Sequence, residues 1–484
     1  MNTQILAAFF TYFAILLAIG LAAHKKQSSD ADFVIGNRSL NFWLTALSAH
    51  ASDMSAWLFM AFPAAVFIGG LPQIWTAIGL TFGMWCNWQF VATRLRTETE
   101  KYDSYTLSTY FERRYKDNSG VLRILTASVA LIFLTSYLSA GLIAMGLLFE
   151  SIFGIDYYIG ISVATFVAMS YTFSGGFITV AWTDLFQAIF LLGMIILVPT
   201  AAYLTIPEGY SAIEASANSQ AIALTVLPEV SFNAFFSILF LLVWGLGYFG
   251  QPHIVTKFMG IKNPKDLVKS KYVGITWQII ALTAAAVVGL VGIGYFPEGI
   301  ANPELVFVDM VKGLFHPYWA GLILCGIIAA NMSTMDSQIL VCASILSEDF
   351  YKRMVKAASP RQLLRVSRFA VILIAIIALG LAYSRNTTVL DVVFYAWSGL
   401  GCSFGPLVLM SLYSKRVNKY GAIAGIITGG VFVGGLWGWL NPQITYLAVP
   451  ALLPGFFLSL LNIYLVSILF EKIGCNDLVK TKEG

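Results

Sequence analysis

The sequence predicts an all-α, polytopic membrane protein of 13 transmembrane helices, ten of which form a 5+5 inverted repeat. Three observations lead there. Of the 484 residues, 58% are hydrophobic and 11% are charged, about half the charged share of a soluble globular protein. Apolar runs of bilayer length recur along the whole chain, and the mean hydropathy is +0.77. Two of the runs, five runs apart, are interrupted by polar residues, glycine and proline.

The first run, 4–23, has no basic stretch before it and no small-residue cleavage site after it, so it reads as a retained helix. The following runs lie near 42–69, 73–93, 124–149, 157–174, 178–203, 232–251, 272–296, 317–345, 367–384, 389–413, 420–440 and 447–470. Residues 1–38 hold the first helix and a linker, 39–206 the first repeat, 207–416 the second, and 417–484 the last two spans and a tail. An odd offset of five spans gives the two repeats opposite orientations. All but Lys312 and Arg385 of the 29 lysines and arginines fall between alternate runs or in the tail. They begin with Lys25, Lys26 and Arg38, pass through Lys257 and Lys356, and end with Lys480 and Lys482. That side is cytoplasmic by the positive-inside rule, which puts the amino terminus outside and the carboxyl terminus inside a plasma (inner) membrane.

No large soluble domain and no G-x-x-x-x-G-K-[ST] loop interrupts the runs, which argues against an ATP-driven machine or a receptor. The five cysteines, Cys86, Cys325, Cys342, Cys402 and Cys475, form no C-x-x-C pair and no metal spacing. His24 and His253 fall at inner span ends and His316 near the outer face, so no catalytic constellation lies at depth and an enzyme is not expected. A secondary transporter and a channel remain. Paired interrupted spans favour the transporter.

The second span carries Ser48, His50, Ser52, Asp53 and Ser55 in its middle, where polar groups persist only if they line an interior cavity. A local alternative is that Asp53 caps a half-helix and pairs with Ser55. The seventh span reads LLVWGLGYFGQPH over 241–253, with Trp244, Tyr248 and Pro252 among three glycines. Those glycines serve either a break or close packing on a neighbour. Asp184 lies in the sixth span. In the ninth, Ser333, Thr334 and Ser337 accompany Asp336 at adjacent and one-turn spacing. Carboxylates, hydroxyls and freed carbonyls without His or Cys suit a hard cation, and sodium fits better than a transition metal. Bonding of the hydroxyls to carbonyls one turn earlier would also explain Ser333 and Thr334, though not Asp336. Glu348 and Asp349, at the inner end of that span, are expected to be solvated.

Three segments carry a resemblance: SAHASDMSAWL (48–58), WGLGYFGQPH (244–253) and AANMSTMDSQILVCAS (329–344). With FYAWSGLGCSFGP (394–406) they resemble the signature segments of the sodium:solute symporter family, and the likeness covers nearly the whole chain. The resemblance implies a leucine-transporter-like fold that moves L-proline inward with Na+, or else another small solute such as a different amino acid, a sugar acid or a vitamin. It implies a main sodium site at the carbonyls of Ala51 and Met54 with Ala330, Ser333 and Thr334, organised by Asp53. Ser55, Trp57, Tyr137, Trp244, Tyr248 and Pro252 would face the solute. Asp184, Asp336 and Ser337 match a second sodium position; they either bind a second ion or only hold helix packing. Two departures stand out: His50 where glycine is expected, and Asp336 where several members carry serine. Expected partners are proline, sodium and the lipid bilayer, with no nucleic acid and no obligate protein.

Overall fold

The computed structural model describes residues 3–23, 30–174, 176–227, 231–355, 357–384, 387–437, 440 and 449–473. Lys25, Lys26, Lys356, Arg385, Lys480, Lys482, His24 and Cys475 lie outside the described residues, as do parts of the two last expected spans. Among the described residues the chain is helical throughout. The one β feature is an isolated parallel bridge between Leu40 and Ile261.

Helix α1 (Thr3–Ala23) is followed by a short α2 (Asp30–Ile35) and by the first interrupted span. Its first half, α3 (Phe42–Met54), starts at Asn41, whose side chain accepts from the Leu44 amide at 2.9 Å, a good N-cap. It stops at Ser55, where φ is 32°. A left-handed backbone on a residue with a Cβ costs about 1–3 kcal/mol and persists only where surroundings enforce it. A 3-10 turn, Ala56–Leu58, leads into α4 (Ala61–Gly69), and the two halves meet at a bend of 70°.

Next come α5 (Ile74–Cys86), a π-turn at Asn87–Ala92, α6 (Thr93–Lys101), α7 (Leu107–Arg114), α8 (Val121–Phe153), α9 (Tyr157–Ser174), α10 (Phe177–Thr205) and α11 (Tyr210–Ser219). The second interrupted span opens with α12 (Phe232–Leu242), tightens to a 3-10 segment over Val243–Gly250, and breaks at Gln251, whose φ and ψ are −87° and 103°. Pro252 then starts α13 (Pro252–Met259), a position where its missing N–H costs nothing. The remainder is α14 (Leu267–Tyr295), α15 (Val306–Leu314), α16 (Pro317–Ser344) with a π-helical extension Ile345–Tyr351, α17 (Lys352–Met354), α18 (Pro360–Ala382), α19 (Val389–Tyr413), α20 (Lys419–Val431) and α21 (Leu452–Lys472).

Nine of the described helices are long and apolar enough to cross a membrane, and the bent pair makes a tenth. The expected spans at 73–93, 157–174 and 420–440 do carry helices. However, α5 and α20 run into π-turns and α9 is short, so the count of 13 is not reached on this measure. The glycine run of the second broken span serves packing as well as the break. A Cβ on Gly245 would lie 2.1 Å from the Gly79 carbonyl oxygen of α5, so backbone meets backbone there.

α16 is the most enclosed of the long helices, while α1, α12 and α21 turn most of their surface outward. α3, α10 and α14 pack around one another, and α16 packs on both α3 and α10. Both breaks therefore sit against the protein interior, where freed backbone groups find partners.

Candidate functional site

The last four carbonyls of α3 have no partner within their own helix. One of them, Ala51 O, accepts from the Ser333 hydroxyl of α16 at 2.7 Å and lies 3.4 Å from the Thr334 hydroxyl. Ala330 O lies 3.0 and 3.2 Å from the same two hydroxyls, so each single proton is shared between the two carbonyls. Back-bonding and a cross-helix cluster thus coexist. Met54 is the last residue of α3, so its carbonyl also ends at this break. Thr334 Oγ1 has a second role, accepting the Ser55 amide at 2.9 Å. The oxygens of Ala51, Ala330, Ser333 and Thr334, four of the five expected at the main site, are therefore brought together, and they are tied directly to the residue that ends the half-helix.

Asp53 faces the other broken span. Its Oδ2 accepts a short hydrogen bond from the Tyr248 hydroxyl, which in turn accepts from Gln278 Nε2 of α14 at 2.9 Å. Asp53 does not pair with Ser55; the Ser55 hydroxyl accepts instead from the Trp57 amide at 3.4 Å. The Trp57 indole donates to Asp53 O at 3.3 Å. Asp53 Oδ1 is buried with no donor. Tyr248 is fully buried, and its ring stands edge-on to Trp397 with centroids 4.9 Å apart.

The carbonyls released by the second break are taken up one by one. Trp397 Nε1 donates to Trp244 O at 2.8 Å, Gln251 Nε2 to Gly247 O at 3.1 Å, and Asn87 Nδ2 to Tyr248 O at 3.1 Å. Trp244 is half-buried with its ring 4.5 Å from Phe394. Tyr137 of α8 presents its ring edge to His253 with centroids 5.8 Å apart. Pro252, beside His253, is buried at the start of α13. The six residues expected to face the solute thus come from three places: the α3 break, α8, and the α12–α13 segment.

Two residues counted on the cytoplasmic side lie inside the protein. Lys257 and His253, read as cytoplasmic from the sequence, are both buried in α13. The apolar run ends at Gly250, but the half-helix after it is enclosed by protein: Arg38 donates to Met259 O at 3.1 Å, and the Leu40 strand bridge holds Ile261. Lys257 Nζ pairs with Asp184 Oδ2 at 3.0 Å. Ser48 donates to the same oxygen at 2.6 Å, and Ser52 shares a hydrogen bond with Ser337 at 2.8 Å. Asp336 is buried on α16, within electrostatic reach of Tyr12 on α1, and it is not among the bonded partners of Asp184.

Glu348 and Asp349 are likewise buried rather than solvated. Asp349 Oδ1 accepts from Arg123 Nε at 2.8 Å and from Thr106 and Thr109, each at 3.0 Å, because the π-helical extension of α16 turns it under α7 and α8. His50 is buried against α14 and the π-turn after α5. It accepts from Trp88 Nε1 at 3.2 Å and lies where a Cβ on Gly274 would touch it. Sequence reasoning missed Gln278, Asn87 and Trp397. A lone amide within an apolar run was the available signal for the first two.

A model described as the sodium:solute symporter family matches residues 33–429. A high-affinity proline transporter of Bacillus subtilis (strain 168) is 42% identical over 467 residues, covering 94% of this chain and 96% of that protein. A sodium/proline symporter of Salmonella typhimurium is 40% identical over 479 residues, covering 97% and 93%. Among solved structures, a sodium-coupled sialic acid symporter in its substrate-bound outward-open state matches with TM-score 0.82 at 19% identity, over 97% of this chain and 98% of that one. MhsT in complex with L-phenylalanine matches with TM-score 0.56 at 14% identity, over 88% and 97%. At those identities the structures speak for the fold, which is the leucine-transporter-like one. A matching family model over most of the length, relatives near 40% identity end to end, and the broken-span site agree: this chain belongs to the sodium:solute symporter family.

Proposed function

We propose that this protein takes up L-proline by coupling it to the inward movement of Na+, through alternating access. The observation that carries this reading is the oxygen cluster of Ala51, Ala330, Ser333 and Thr334 at the α3 break, in a chain about 40% identical to proline carriers. The cluster is all oxygen and lacks His or Cys, which suits sodium. A sodium ion held by the carbonyls of Ala51, Met54 and Ala330 and by the Ser333 and Thr334 hydroxyls would replace hydroxyl-to-carbonyl bonds with ion–oxygen contacts. That would fix the end of α3 against α16.

Thr334 would then hand the order on to Ser55 through the amide it accepts. Ser55 and Trp57, with Tyr137, Trp244, Tyr248 and Pro252, form the proposed proline site. A half-helix amino end suits the carboxylate, and aromatic faces suit the ring and the secondary ammonium. Asp53 organises both through Tyr248. No covalent bond is made or broken, so the protein is a carrier and not an enzyme. At a tenfold gradient and 100 mV one sodium supplies about 3.7 kcal/mol, enough for roughly 500-fold accumulation.

The membrane is the inner (plasma) membrane, with the amino terminus outside and the carboxyl terminus in the cytoplasm, following the cation bias. The two repeats are 39–206 and 207–416, each opening on a broken span, with 1–38 before them and 417–484 after. Labelled proline uptake into proteoliposomes tests the reading. Uptake that overshoots equilibrium only with an inward sodium gradient is expected. Absence of proline uptake by protein that binds sodium would move the substrate to another small solute of the family.

A further inference from the structure

Asp184 on α10 and Lys257 on α13 meet at 3.0 Å with side chains 0% and 2% exposed. Their pocket is built from four elements. Ser48 of α3 donates to Asp184 Oδ2 at 2.6 Å, Ser52 stands 3.5 Å from the same oxygen, and Ser337 of α16 is bonded to Ser52. Asp184 Oδ1 is buried without a donor. The Phe177 ring centroid lies 5.1 Å from the ammonium.

A carboxylate and two to three hydroxyls in a buried interior form a cation pocket. Such a pocket accepts an alkali ion or an ammonium on similar terms, since both are hard and singly charged. Here the cation is tethered to the chain. A second free cation at Asp184 would share one carboxylate with the ammonium and be repelled by it. We propose that the Lys257 ammonium is the resident cation of the Asp184–Ser48–Ser52 pocket, so that sodium binds only at the α3 break. The proposal rests on the reading of that break as a sodium site.

Binding of radiolabelled sodium to the purified full-length protein tests it without depending on proline. The wild type is expected to bind one sodium per chain with a Hill slope of one. Lys257→Met, which keeps the stem and removes the charge, should bind two, and the double variant Lys257→Met with Asp184→Asn should return to one. Two sodium ions in the wild type would overturn the proposal, as would a single one in Lys257→Met. Should that variant fail to fold, Lys257→Gln carries the same expectation and the same refutation. A wild type that binds no sodium would refute the α3-break site, and the proposal with it, an outcome distinct from binding two.

Discussion

Replacing Asp53 by asparagine should raise the sodium concentration for half-maximal uptake about tenfold. The carboxylate is fully buried and accepts the Tyr248 hydroxyl, which is itself held by Gln278 at 2.9 Å. A hydrogen bond to a charged group contributes about 1.5–3 kcal/mol, and one between neutral groups about 0.5–1.5. Asparagine keeps an acceptor oxygen but loses the charge, so the two broken spans lose about 1–1.5 kcal/mol of connection. At 1.4 kcal/mol per decade this is roughly tenfold. Tyr248→Phe deletes the bond altogether and should cost more. Once it is gone, Asp53→Asn should add little. The assay is labelled proline uptake across a sodium titration for both single variants and the double. Effects that add to within about 0.3 kcal/mol would refute the link, because independent sites are additive. A change in proline requirement alone would refute the role of Asp53 in sodium binding.

Three further outcomes follow from the geometry. Thr334→Ala removes a proposed sodium ligand and the acceptor of the Ser55 amide at once, so both sodium and proline half-saturation values should rise, and Thr334→Ser should restore both. Trp244→Ala, at a half-buried ring tilted against Phe394, should raise the proline requirement at least tenfold with little change in sodium dependence, read in the same uptake assay. Arg123→Gln leaves Asp349 buried without its cation, which should cost about 3–5 kcal/mol of stability and lower the unfolding temperature in detergent, while an unchanged temperature would show that Thr106 and Thr109 suffice.

The two breaks were legible because polar residues in an apolar run of bilayer length have few explanations. Ser48 to Ser55 and Gly245 to Pro252 could hardly be lipid-facing helix. Ser333 and Thr334 were legible for the same reason. What the chain hides is pairing at long sequence separation. Nothing local says that Asp53 bonds to Tyr248, 195 residues away, or that Asp184 bonds to Lys257, 73 residues away. The burial of Lys257 and His253 was not legible because hydropathy measures fitness for lipid. A half-helix enclosed by protein needs no such fitness, so α13 looks like a loop in the sequence. Asp349 was misplaced for a related reason: the π-helical extension of α16 rotates it inward, and a one-residue change of helical phase leaves no mark in composition.

In the proposed sites sodium and proline need not touch for each to tighten the other's binding, because both would bear on one strained element, Ser55. Ser55, with φ at 32°, costs about 1–3 kcal/mol to hold, and two bonds hold it: Thr334 accepts its amide, and its hydroxyl accepts from Trp57. A sodium ion at the proposed Thr334 site would fix the first bond. A solute against Ser55 and Trp57, as proposed, would fix the second. Whichever ligand arrives first meets the ordering cost and spares the other, so the coupling is bounded by that cost. The bound, about 1–3 kcal/mol, matches the usual range for coupled sites, and by linkage it must be the same in both directions. Asp53 extends the arrangement to the second broken span, since the break at Ser55 and the break at Gln251 are joined through Tyr248. A movement of either half-helix is then felt at the other, which is what a carrier with two pseudo-symmetric broken spans requires of its midplane.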